Sequence, residues 1–129
     1  MNLTPGTYWI TDGDLTLGPG GGTLQCPTCT PGGAGVTVIL TTAQASNGTV
    51  GALILDSQAN LTLNAPSSGT FKGIVLVQDS NGLPAQTTIN TSSTAKANAT
   101  ETLNGLVYFP QSAMDFQGVL LRGARAAWC

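Results

Sequence analysis

Three windows of the chain repeat one pattern: a glycine, an apolar strand, about four turn residues, then an apolar-x-apolar triplet. Gly6-Thr7-Tyr8-Trp9-Ile10 precedes Leu15-Thr16-Leu17, and Gly51-Ala52-Leu53-Ile54-Leu55 precedes Leu61-Thr62-Leu63. Gly105-Leu106-Val107-Tyr108-Phe109 precedes Met114-Asp115-Phe116. The segments are short, rich in β-branched and aromatic residues, and bounded by Gly, Pro, Asn and Ser; none has the length or period of an amphipathic helix. A two-strand unit cannot bury its apolar side alone, so units recurring at similar spacing predict stacking, each covering its neighbour's open edge. The expected fold is all-β: a right-handed parallel β-helix, or β-solenoid, as a single domain over residues 1–129. An ordinary β-sandwich is the alternative, because it too produces short strands at regular spacing.

Between the windows, Val36-Thr37-Val38-Ile39-Leu40 is the strongest strand, being β-branched and apolar almost throughout. The stretches Gly18 to Gly35 and Asp79 to Thr102 read as insertions projecting from the coil as loops. Thr91 to Thr102 contains helix-compatible Ala95, Lys96, Ala97 and Glu101, but its Ser, Thr and Asn content makes it a loop in this reading. Residues 121–129 hold Arg122 and Arg125, half the basic residues of the chain, and lack its Thr/Asn/Gly character. They read as a cap over the last coil or as a non-native end.

Composition narrows the function classes. Charged residues are 8% of the chain, so solubility rests on Thr, Asn and Gly around regular hydrogen-bonded strands. The net charge is −2, and the four basic residues Lys72, Lys96, Arg122 and Arg125 form no broad patch. Nucleic acid, which needs clustered cations, is excluded as a partner, and an anionic membrane surface is disfavoured. No apolar run approaches the roughly 20 residues of a membrane helix. The N-terminal residues lack the basic start and apolar stretch of a signal peptide, so any targeting segment is expected to have been removed or to lie upstream. The charge-poor, Thr/Asn/Gly-rich composition fits an exported, extracytoplasmic protein.

Catalytic chemistry has little to work with. There is no histidine, which removes the commonest general base and metal ligand. The acids Asp12 and Asp14 share one turn, and Asp56 follows a strand as Asp12 does. Stacked coils would bring Asp12 and Asp56 together, a pair that could serve glycan cleavage; Asp12 and Asp14 are also calcium candidates. The competing reading makes all three ordinary turn formers. Cys26-Pro27-Thr28-Cys29 sits in a Gly/Pro loop, not at a helix start, so a loop disulfide leads over free thiols and over redox catalysis. Zinc would need two more ligands, and Cys129 offers at most one. No cofactor is expected. Tyr8, Trp9, Tyr108 and Phe109 could form a carbohydrate-stacking platform, although aromatic residues in strands more often pack a core.

Several motifs, in order, carry a family resemblance. Pro5-Gly6-Thr7-Tyr8 leads to Gly13-Asp14-Leu15 and then to Gly35-Val36-Thr37-Val38-Ile39-Leu40-Thr41. Leu63-Asn64-Ala65-Pro66, Ser68-Gly69 and Gly73-Ile74-Val75-Leu76-Val77-Gln78-Asp79 follow, then Leu103-Asn104-Gly105-Leu106-Val107-Tyr108-Phe109-Pro110 and Phe116-Gln117-Gly118. From Pro5 to Gly118 the chain resembles the C-terminal β-rich region of bacterial TadE/TadG-like proteins of the Flp (tight adherence) pilus systems. The resemblance implies a cell-envelope or secreted bacterial protein, structural or adhesive, with other envelope or pilus proteins as partners and no catalytic residues. A carbohydrate-binding or carbohydrate-cleaving β-helix protein is the alternative. Exposed strand edges and Cys129 would allow homo-oligomers.

Overall fold

Strands form where β-branched and aromatic residues alternate with polar ones, and neighbouring chain supplies the ladders that weaker segments need. The computed structural model describes residues 1–18, 20–44, 50–55, 58–80, 93–95, 100–110, 114–116 and 120–127. In chain order the strands are β1 (Gly6–Thr11), β2 (Leu15–Leu17), β3 (Gly22–Gln25), β4 (Val36–Thr41), β5 (Leu53–Leu55) and β6 (Ala59–Asn64). They continue with β7 (Ile74–Gln78), β8 (Ser93–Ala95), β9 (Thr100–Tyr108), β10 (Met114–Phe116) and β11 (Leu120–Ala127). No helix occurs among the described residues, and the protein is all-β.

Every ladder among the described residues is parallel. β1 pairs with β4, β2 with β5 and β3 with β6; the same step of three links β4 to β7, β5 to β8 and β6 to β9. β9 is long enough to serve twice. Thr100–Asn104 lies beside β6, and Leu106–Tyr108 lies beside β7. It thereby joins one curled sheet of order β1-β4-β7-β9-β6-β3, with β11 also on β9. The order β10-β8-β5-β2 makes a second, four-stranded sheet. The antiparallel ladders of an ordinary sandwich do not occur among the described residues.

Three expectations need correction. The stretch Gly18 to Gly35 is not all loop, because it contains β3. The stretch Asp79 to Thr102 contains β8 and the start of β9, so Ser93–Ala95 and Thr100–Thr102 are strand where loop was expected. These segments offer few apolar residues, but strands already laid down on β5 and β6 give their backbones a partner, and Thr suits the pleat. The three windows are also not mutually equivalent. Gly6–Thr11 pairs with Val36–Thr41, whereas Leu53–Leu55 is the partner of Leu15–Leu17. The Gly51 window therefore begins on the sheet where the Gly6 window ends.

Alternation decides the core. In β6, Ala59, Leu61 and Leu63 are buried while Asn60 is exposed. In β4 the row Val36, Val38 and Leu40 faces inward against Leu53, Leu55, Leu61, Leu63, Leu76 and Phe109. Each fully buried side chain of this kind contributes about 1.5–3 kcal/mol. A bulge in β7 between Ile74 and Leu76 lets both Val75 and Leu76 be buried. Gln78 interrupts the apolar rows. It is fully buried, and its Nε2 donates to the Gly51 carbonyl at 2.9 Å. Gly51 needs to be glycine because a Cβ there would collide with the Gly13 backbone. At another corner Ala65 is flanked by Gly35 and Gly105, neither of which has room for a Cβ. Beside them the paired Asn64 and Asn104 are bonded side chain to side chain, Nδ2 of Asn104 donating to Oδ1 of Asn64 at 2.6 Å.

The N-terminal residues cover one edge. Asn2 bridges Gln25 in parallel, Leu3 donates to the Gln25 carbonyl, and Met1 bonds Thr23 and Gln25. β3 is thereby flanked on its outer side.

Candidate functional site

The aromatic pairs Tyr8-Trp9 and Tyr108-Phe109 are split by the pleat, because adjacent strand residues face opposite sides. Tyr8 turns toward the core, and its hydroxyl donates to the Thr4 carbonyl at 3.0 Å. Phe109 is buried at 1% exposure. Trp9 faces outward with 59% of its surface exposed, and Tyr108 is half-buried.

Register then places the outward residues in one row. Trp9 pairs with Ile39, Ile39 with Val77, and Val77 with Tyr108. The row runs straight across β1, β4, β7 and β9. Three strand spacings of about 4.8 Å give it a span of roughly 14 Å. Phe71 comes from the turn between β6 and β7 and meets Trp9 edge-on, with ring centroids 6.0 Å apart and planes at 76°. This turn is anchored from below. Ser67 donates to the Gly33 carbonyl, Gly73 to the Pro66 carbonyl, and the buried Thr37 hydroxyl to the Ile74 carbonyl at 2.7 Å.

The result is a shallow groove of about 280 Å³, floored by Ile39 and Val77 and walled by Trp9, Phe71 and Tyr108. Its polar end is formed by Asp79 and Ser80. Thr41 Oγ1 donates to Asp79 Oδ2 at 2.8 Å, fixing the carboxylate at the end of β7. Among the described residues lining the groove, Asp79 is the charged one.

Of the acids singled out from the sequence, Asp12 and Asp14 bond neighbouring chain at the corners. Asp12 adopts a left-handed conformation at φ 57° just past β1. Its Oδ1 accepts from Thr42 Oγ1 at 2.7 Å and from the Ala43 amide at 3.3 Å. Thr11 pairs with Thr41, so the neighbour of Asp12 across the ladder is Thr42. Asp56 lies outside the described residues. Asp14 Oδ1 accepts from the Ala52 amide at 2.8 Å. Asp12 and Asp14 thus clamp β1 and β2 to the chain following β4 and preceding β5. Among the described residues no three His, Cys, Asp or Glu side chains gather as metal ligands.

Cys26 and Cys29 form a disulfide with Cα atoms 5.3 Å apart, in a tight turn where the Cys29 amide donates to the Cys26 carbonyl. Both are buried, at 6% and 7% exposure, which suits a structural bond better than an accessible redox centre. Cys129 lies outside the described residues.

Comparison with protein-family models, curated proteins and solved structures finds no match. No helix of the described residues is long and apolar enough to cross a membrane. Of the groove residues, sequence reading had singled out Trp9 and Tyr108. It missed Phe71 and the binding potential of Asp79, since Phe71 stands alone in a Gly-rich turn with no periodicity to mark it.

Proposed function

We propose that this chain is a non-catalytic, adhesive domain of the bacterial cell envelope, wound as a right-handed parallel β-solenoid and related to pilus-assembly proteins. The winding is supported by the step of three strands in the six parallel ladders from β1–β4 to β6–β9, and by β9, which takes two successive positions beside β6 and β7, as a chain circling three faces per turn would. Right-handed crossovers are the general rule for parallel strands. The adhesive reading is carried by one observation: the outward row from Trp9 to Tyr108, with Trp9 exposed on a sheet whose backbone groups are spent in ladders. A large exposed aromatic side chain on a rigid sheet is a contact residue in want of a partner. Catalysis finds no support here, because Asp12 and Asp14 are engaged with backbone and hydroxyl donors at the corners.

Beads coated with the purified chain test this reading on bacterial envelope preparations. Retention above that of bare beads is expected, and a Trp9→Ser, Tyr108→Ser double variant that keeps its β-sheet circular dichroism should lose it. A hydrolase screen on envelope polysaccharides should show no turnover. Absent retention, or turnover that depends on Asp14, would overturn the reading.

A further inference from the structure

We propose that the Trp9–Tyr108 groove binds a neutral glycan, a short run of hexopyranose rings lying across β1, β4, β7 and β9; this deepens the adhesive reading and rests on it. The lining has the dual character that sugar rings require. Trp9, Phe71 and Tyr108 offer aromatic surface for the C–H faces of the rings. Asp79 and Ser80 bring polar side chains to one end, where their oxygens can bond sugar hydroxyl groups in addition to the partners they already have. Thr41 orients the Asp79 carboxylate in advance, and Phe71 holds the Trp9 indole, so little side-chain freedom is lost on binding.

Charge and size exclude the competing occupants. Among the described residues lining the groove the charge is negative, which disfavours an anionic ligand such as a phosphate or a uronic acid chain. A peptide adding itself as a strand needs a free sheet edge, whereas this row crosses the interior of a sheet face. A stable protein interface buries about 800 Å² on each partner. Among the described residues the large exposed hydrophobics are Met1, Trp9 and Leu106, too few and too scattered to form the core of such a patch. The aromatic row runs roughly 14 Å across the strands, and the groove is open at the surface. That shape suits a short oligosaccharide better than a single enclosed sugar.

The experiment uses the full chain and three soluble probes: a β-glucan, chitin oligosaccharides and a mannan. Affinity electrophoresis and tryptophan fluorescence are read in a Trp128→Phe background, so that emission reports Trp9. At least one probe should retard the protein and shift the Trp9 emission to the blue, with little change at high salt. Trp9→Ala should weaken binding at least about tenfold and Tyr108→Ala by a similar factor, with thermal midpoints near that of the parent. A second arm treats envelope preparations with periodate, which destroys sugars, or with protease. Periodate should abolish bead retention and protease should not. If no probe binds and retention survives periodate but not protease, the glycan assignment falls while the adhesive reading stands. Glycan binding without envelope retention would sink the adhesive reading alone. Probe binding that is unchanged in Trp9→Ala overturns the groove as the site.

Discussion

Gln78 donates from Nε2 to the carbonyl oxygen of Gly51 at 2.9 Å, beside a core of Leu, Val, Ala, Cys and Phe side chains. It ties the end of β7 to the corner that leads into β5. A buried carbonyl left without its donor costs about 1–3 kcal/mol. Gln78→Leu keeps the side-chain volume nearly constant and removes the donor. It should therefore lower the unfolding free energy by that amount, seen as a reduced urea midpoint with an unchanged m-value. A midpoint equal to wild type would mean that water replaces the bond.

The same corner sets a paired prediction for two glycines in contact. A side chain on Gly51 would run into the Gly13 carbonyl, whereas a Cβ on Gly13 meets nothing nearer than the Thr11 oxygen at 3.9 Å. Gly51→Ala should destabilise by about 1–3 kcal/mol through overpacking. Gly13→Ala, at a backbone conformation outside the left-handed region, should be neutral or stabilise by about 0.4–1 kcal/mol. Equal effects at both positions would mean that the two chains do not approach as closely as described.

The split aromatic pairs predict opposite consequences for residues of similar kind. Phe109 is 1% exposed and Trp9 is 59% exposed. Phe109→Ala should cost about 3–5 kcal/mol, while Trp9→Ala should cost under about 1 kcal/mol. Thermal unfolding of the two variants decides it, and a reversed order would place the pleat the other way round.

Asp14 separates a corner clamp from a charged site. Its Oδ1 accepts from the amide of Ala52, which is fully buried. Asp14→Ala orphans that amide and should lose about 1–3 kcal/mol. Asp14→Asn keeps a side-chain oxygen that can accept the bond, and should restore most of the loss although the charge is gone. Equal losses in the two variants would show that the negative charge itself matters.

The all-β character was legible because β-branched and aromatic residues cluster in short runs, as in Val36–Thr41. The position of each run around the fold was not. Glycine opens all three windows, but Gly51 is required by close approach to Gly13 before β5, and Gly105 by close approach to Ala65 within β9. One residue type answers two different steric needs, so spacing alone misaligned the windows. β3 and β8 were illegible for another reason: Gly22-Thr23-Leu24-Gln25 and Ser93-Thr94-Ala95 depend for strand formation on ladders with β6 and β5, which lie far along the chain. The groove was half legible. Trp9 and Tyr108 were visible as aromatic residues, but each neighbours another, and only the register across four strands shows which of each pair faces outward.

The Cys26–Cys29 disulfide gives the last prediction. It closes a loop of four residues, for which chain-entropy arguments allow a stabilisation of about 2 kcal/mol. The surrounding turn has support of its own: the Cys29 amide bonds the Cys26 carbonyl, and Thr30 bonds Ala34. Reduction should therefore lower the thermal midpoint without abolishing the β-sheet circular dichroism. Alkylation after denaturation without reductant should label one of the three cysteines, Cys129, and all three after reduction. Both sulfurs are buried, so reduction of the native protein should be slow and should quicken in mild denaturant. Labelling of Cys26 or Cys29 without reductant would count against the bond, and loss of the sheet on reduction alone would make it a condition of folding rather than a local tie.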